Sequence, residues 1–190
     1  FKSISPLICF AIKSNNNVSL VREIKKFGLG ADVVSIGELM TAIKAGISPK
    51  KIVFSGVGKT SEEIEYAINK KILLINAESE SEIKQIEKIA KLKNRKVQVG
   101  IRLNPNTDAK TISQISTGKK ENKFGVNDKT FFQLVNYCKN SKVIELKCLS
   151  VHIGSQIQDH KPYEKMLKSI TKILNKINYK FEFIDLGGGM

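Results

Sequence analysis

The sequence has no tryptophan, two histidines, three cysteines and four prolines among 190 residues. With His152 and His160 its only imidazoles and no Cys-x-x-Cys spacing, it offers too few ligands for a zinc cluster. Cys9, Cys138 and Cys148 are odd in number and sit inside apolar segments, which argues against a disulfide framework and for buried thiols in a reducing compartment. The longest apolar run, Leu7 to Ile12, has six residues, whereas a spanning helix needs roughly 18. No basic-then-apolar signal stretch opens the chain. A protein of the cytoplasm, with no membrane partner, is expected.

Acidic residues are also few, 18 against 32 basic, giving a formal charge of +14. A surplus of that size ordinarily raises nucleic acid as a partner. Here 29 of the 32 are lysines spread along the whole length, Arg22, Arg95 and Arg102 being the exceptions, and isoleucine and asparagine are abundant too, at 25 and 14. That pattern reads as a compositional bias laid over solvated helix faces, not as a nucleic-acid footprint.

What is present is an alternation. Short β-branched runs begin near Leu7, Ala31, Lys51, Ile72, Lys96, Lys147 and Phe181, and amphipathic stretches fall between them at roughly 16–27, 36–46, 60–70, 79–93, 128–140 and 160–178. Ser35, Thr60, Ser79 and Asp128 stand where helix caps are wanted. Seven strands joined by six crossover helices make a parallel α/β architecture, in a length suited to one domain.

Strand parity chooses between an open doubly wound sheet and a barrel. Val99, Ile101 and Leu103 share one face of the fifth strand, while Gln98, Gly100, Arg102 and Asn104 share the other. In the sixth, Leu149, Val151 and Ile153 oppose Cys148, Ser150, His152 and Gly154. One greasy face and one small or polar face suit a (β/α)8 TIM-type barrel clad outside by helices, whereas an open sheet buried on both sides would be apolar on both. Seven of the eight strands are present, so residues 1–190 read as an incomplete barrel from a larger enzyme.

Barrel sites form at the carboxyl ends of the strands. Those ends hold Lys13, Asp32 to Ser35, Ser55 to Gly58, Glu78, Arg102 to Pro105, His152 to Gln156 and Gly187 to Gly189. Parity turns Lys13 inward beside Cys9 and Ala11, where a low-dielectric surrounding would favour a neutral, nucleophilic amine; it is equally readable as the first exposed lysine after a strand. His152 precedes a turn whose amides and Ser155 hydroxyl suit an anion, and is equally readable as a satisfied core histidine. Gly187, Gly188 and Gly189 allow close backbone approach, but the run is not a dinucleotide fingerprint. The stretch Asn104 to Asn127, with the polar core STGKKENKFG, is long enough to be a cover over the site.

Taken together, FAIKSN at 10–15, GADVVSIGEL at 30–39, KIVFSGVGKT at 51–60, INAES at 75–79, RLNP at 102–105, ISTGKKENKFG at 115–125, HIGSQI at 152–157 and DLGGG at 185–189 closely resemble the diaminopimelate decarboxylases. These are pyridoxal-phosphate enzymes of the alanine-racemase-like barrel class. The resemblance implies decarboxylation of meso-diaminopimelate to L-lysine and carbon dioxide, the last step of lysine biosynthesis, by a homodimer acting on a small amino-acid substrate. Lys13 matches the lysine that holds pyridoxal phosphate covalently, and His152 the histidine stacked on its ring. Ser155, Gly187, Gly188 and Gly189 match groups around the phosphate, and Asp32 and Arg102 positions lining the pocket. Ser116, Thr117 and Gly118 match the covering loop. Two departures stand out: Ile112-Ser113-Gln114 replaces the usual His-Pro-Tyr, and Ser14 the usual alanine after the lysine. The family's Glu-Pro-Gly-Arg segment on the eighth strand and its carboxyl-terminal β-domain are not in the sequence, so the segment by itself is expected to be inactive. Related decarboxylases of ornithine, arginine or a carboxylated polyamine, or an inactive truncated product, are the alternatives.

Overall fold

A computed structural model of the chain describes residues 4–106 and 124–189. Strands β1 (Cys9–Ala11), β2 (Gly30–Val33), β3 (Ile52–Phe54), β4 (Leu74–Ala77), β5 (Val97–Arg102), β6 (Ile144–Ser150) and β7 (Phe183–Asp185) alternate with helices α1 (Val18–Lys26), α2 (Ile36–Lys44), α3 (Ser61–Lys70), α4 (Glu80–Leu92), α5 (Asp128–Lys139) and α6 (Lys161–Lys176). Every helix predicted from periodicity is present, each within two residues of its expected start and finish. The sixth strand begins three residues earlier than the sequence suggested, at Ile144.

The strands lie in one sheet in chain order, and all six neighbouring pairs are parallel. Crossovers of a single hand in a sheet that never reverses direction place the helices on one face only. That face carries the main core, in which Val99, Ile101, Leu103, Leu149, Val151 and Ile153 pack among helix residues such as Leu39, Ile64, Ile83 and Phe131. Among the described residues no helix covers the opposite face, and the sheet curls on itself into the partial TIM-type barrel that parity predicted.

Local chemistry starts the helices. Ser35, Thr60 and Ser79 accept from the backbone amides of Glu38, Glu63 and Glu82, each three residues on. The same three glutamates reach back, to the amides of Val34, Thr60 and Glu78. Each hydroxyl cap contributes about 1 kcal/mol. At α5 the cap is Asn127, whose side chain accepts from Thr130 at 2.9 Å, and not Asp128 as expected. Asp128 instead occupies the first turn, where its charge complements the helix dipole.

Candidate functional site

Inside the curl, an apolar layer of Val53, Leu74 and Cys148, with Cys9, Leu73 and Phe183 against it, lies toward the amino-terminal ends of the strands. One step nearer the carboxyl ends lies a polar layer. Ser55 Oγ is 2.6 Å from Asp32 Oδ1, and Asn76 Nδ2 donates to Ser55 Oγ at 3.4 Å and to Asp185 Oδ2 at 2.8 Å. Ser150 Oγ also donates to Asp185 Oδ2, at 3.0 Å. Gly100 leaves space for this layer, since a Cβ there would collide with Asn76 Oδ1 and lie 3.1 Å from Cys148 Cβ. Burial pushes the Asp32 carboxyl up to about 6; the Ser55 hydrogen bond opposes the shift and the negative charge of Asp185 adds to it.

Above the polar layer, Arg102 Nη1 meets Glu78 Oε1 at 2.7 Å, and the guanidinium lies 5.1 Å from the Phe124 ring centre. Its Nη2 is buried without a partner among the described residues. Glu78 also accepts from the amide of Gly125, at 3.3 Å. Gly125 belongs to the stretch read as a cover; there Val126 forms an isolated parallel bridge to Leu103, just past the end of β5. Ser116, Thr117 and Gly118, and the departure at 112–114, lie outside the described residues.

His152 is half-buried, and its Nδ1 accepts from the amide of Gly188 at 3.4 Å. Burial, then the charges of Arg102 and Lys13, push the imidazole down to about 4, so it is neutral at physiological pH. The run Gly187 to Gly189 packs against the turn after His152. A Cβ on Gly187 would come within 2.7 Å of His152 Nδ1, and one on Gly189 would collide with the carbonyl of Gly154 and sit 3.4 Å from Ser155 Cα. A Cβ on Gly188 would meet no atom of the described residues within 4 Å. Asp185 Oδ1 accepts from Gly187 N at 2.8 Å, and Tyr163 Oη donates to Gly188 O at 3.0 Å, fixing the run at both places.

Lys13 departs from expectation. The strand stops at Ala11, and Lys13 lies in a 3-10 turn of Ile12–Ser14 and is exposed, so the enclosed, low-dielectric surrounding expected for its amine is not what the described residues provide. Because Ala11 pairs with Asp32 in the sheet, Lys13 lies just beyond the carboxyl end of β1, where its charge acts on both Asp32 and His152.

Asp32, Arg102, His152 and the three glycines thus line one opening, with Lys13 and the exposed Ser155 at its rim. Sequence reasoning missed Asn76 and Asp185, although both stand inside the motifs INAES and DLGGG, and inward parity on the fourth and seventh strands would have found them. It also missed Lys59 and Glu82, a buried ion pair at 2.7 Å beside this site.

Residues 2–190 match the family described as pyridoxal-dependent decarboxylase, pyridoxal binding domain. The chain is 46% identical over 193 aligned residues to a diaminopimelate decarboxylase of Helicobacter pylori strain J99, covering 100% of this chain and 48% of that protein. It is 43% identical, with the same coverage, to one of Campylobacter jejuni. Among solved structures, a Helicobacter pylori diaminopimelate decarboxylase crystallised with L-lysine superposes with a TM-score of 0.97 at 45% identity, covering 100% of this chain and 49% of that one. The chain spans about half the length of these relatives. It belongs to the pyridoxal-dependent decarboxylase family, in the part that forms the pyridoxal-binding domain.

Proposed function

We propose that the protein carrying this chain is a diaminopimelate decarboxylase, converting meso-diaminopimelate to L-lysine and carbon dioxide, and that this segment is its cofactor-holding barrel, with the eighth strand and a β-domain supplied by further polypeptide. The observation that carries the reading is the near-identity of fold, at a TM-score of 0.97, with a relative crystallised with L-lysine.

The residues fit pyridoxal phosphate. Among the described residues a Cβ on Gly188 would meet nothing within 4 Å, which leaves room beside the glycine run for a phosphate. Arg102 Nη2 is a buried donor waiting for an acceptor. In this reading Lys13 holds the cofactor, His152 lies against its ring, and Ser155 with Gly187, Gly188 and Gly189 surrounds its phosphate, while Asp32 and Arg102 line the pocket. When bound, pyridoxal phosphate supplies the electron sink that makes loss of a carboxylate from an α-carbon feasible.

The chain's own groups provide the setting. His152 presents an uncharged face, and the Gly188 amide on Nδ1 leaves the proton on Nε2. Asp32, pushed up to about 6 mainly by burial, lies within reach of the Lys13 charge and can hold a proton in mildly acid solution. The apolar cluster on the amino-terminal side of the polar layer gives that part of the pocket a lining of low polarity. Three free cysteines, two of them buried, suit a reducing cytoplasm, and no helix among the described residues is long and apolar enough to cross a membrane. The homodimeric state comes from the resemblance alone.

Carbon dioxide release by the purified full-length protein tests the reading. Turnover of meso-diaminopimelate should far exceed that of ornithine or arginine. Preference for ornithine would overturn the substrate, and failure to bind pyridoxal phosphate would overturn the whole reading.

A further inference from the structure

Lys59 looks, in the sequence, like one more solvated lysine. Its side chain is 1% exposed. The ammonium donates to Gly56 O at 2.6 Å, Asn76 O at 2.8 Å and Glu82 Oε1 at 2.7 Å, so all three of its protons are used. Burying an ammonium costs several kcal/mol unless it is paired and hydrogen-bonded. Helix capping does not explain it, because Glu38 and Glu63 perform the same reach-back at α2 and α3 with backbone and hydroxyl partners.

The distinction of α4 is the strand before it. Asn76 and Glu78 are the two residues at the end of β4 that face the site, one donating to Asp185 and the other gripping Arg102. Lys59 holds the carbonyl of the first directly. It holds the second through Glu82, whose Oε2 accepts from the Glu78 amide at 3.0 Å. Glu78 then fixes Arg102 through Nη1, leaving Nη2 buried with no partner among the described residues, and the charge of Arg102 acts on His152.

We propose that Lys59 is a positioning residue: through Glu82 and Glu78 it sets the placement of the Arg102 guanidinium relative to His152 and the cofactor pocket. Its functional meaning rests on the reading above, but the placement itself is testable without cofactor.

The test uses the full-length, cofactor-free protein with labelled histidine, the His152 signal being assigned by its loss in His152→Gln. His152 also feels Lys13 and Asp185, which all variants retain. In Lys59→Met, Arg102 is released, and the His152 midpoint is expected to rise from about 4 by roughly 0.5–1 unit as a nearby positive charge recedes. Affinity for added pyridoxal phosphate should fall about tenfold or more. Should Lys59→Met fail to fold, Lys59→Met combined with Glu82→Met replaces the pair by apolar side chains, an exchange that buried pairs often tolerate, and the same His152 shift is expected. A folded variant whose His152 titrates as in the wild type overturns the proposal and leaves Lys59 with a purely structural role. Failure of the wild type to bind pyridoxal phosphate would instead remove the proposed function while leaving the His152 comparison intact.

Discussion

Asn76 Nδ2 on β4 lies 2.8 Å from Asp185 Oδ2 on β7, three strands away in the sheet. In a flat sheet three strand steps separate the backbones by about 14 Å, beyond the reach of two short side chains. The bond is a chord across the curl, and it ties the middle of the sheet to its last strand.

Asp185 gathers that chord together with Ser150 Oγ and the Gly187 amide. Replacing it by alanine leaves three donors short of an acceptor, and Asp185→Ala is expected to cost about 2–4 kcal/mol in urea unfolding of the full chain. Ser150→Ala, which removes one donor, should cost about 1 kcal/mol. Equal losses from the two variants would show that the layer is not organised around Asp185.

Borohydride reduction of the protein loaded with pyridoxal phosphate should place the label on the peptide containing Lys13. Lys59, with every proton engaged, should carry none. Peptide mapping reads the result directly, and label on Lys59 would reverse the assignment.

The glycine run separates fold from binding. A Cβ on Gly188 would meet no atom of the described residues within 4 Å, and its φ is not left-handed, so Gly188→Ala should leave thermal stability within about 0.5 kcal/mol of wild type. Its methyl group enters the proposed phosphate space, and affinity for pyridoxal phosphate should drop about tenfold. Gly189, at φ +109° and against the Gly154 carbonyl, behaves differently. Gly189→Ala should lose about 1–3 kcal/mol of stability as well as binding. Unchanged cofactor affinity in Gly188→Ala would move the phosphate elsewhere.

Two half-buried groups act on stability in opposite directions with pH. His152 falls to about 4 from an ordinary 6.5, so the unfolded chain takes the proton first and stability is lost as pH drops from 6.5 toward 4. Asp32 rises to about 6 from 3.8, so the unfolded chain ionises first and its contribution is lost as pH climbs from 3.8 toward 6. The two trends partly cancel in the wild type. Asp32→Asn should unmask the histidine, giving unfolding free energies that rise more steeply across this window. A flatter profile in that variant would contradict the sign assigned to Asp32.

Much of this molecule is written in short-range pattern. Alternation of β-branched runs with helical periods, and the caps Ser35, Thr60 and Ser79, define the elements because each depends on neighbours a few residues away. Parity on the fifth and sixth strands is equally local, and it sorted Val99, Ile101 and Leu103 outward and Gly100 and Arg102 inward. The motif order carried the family. The positions of Lys13, Lys59 and Asn76 were decided otherwise. Lys13 left the strand because β1 ends at Ala11 and the chain turns there, which a parity count carried through cannot register. Lys59 is one of 29 lysines, and only the approach of the β3–α3 connection to the end of β4 and the start of α4 supplies the Asn76 carbonyl and Glu82 carboxylate that make its burial tolerable. Asn76 meets Asp185 across 109 residues because the sheet curls. That closure is a property of seven strands together, and no stretch of sequence contains it.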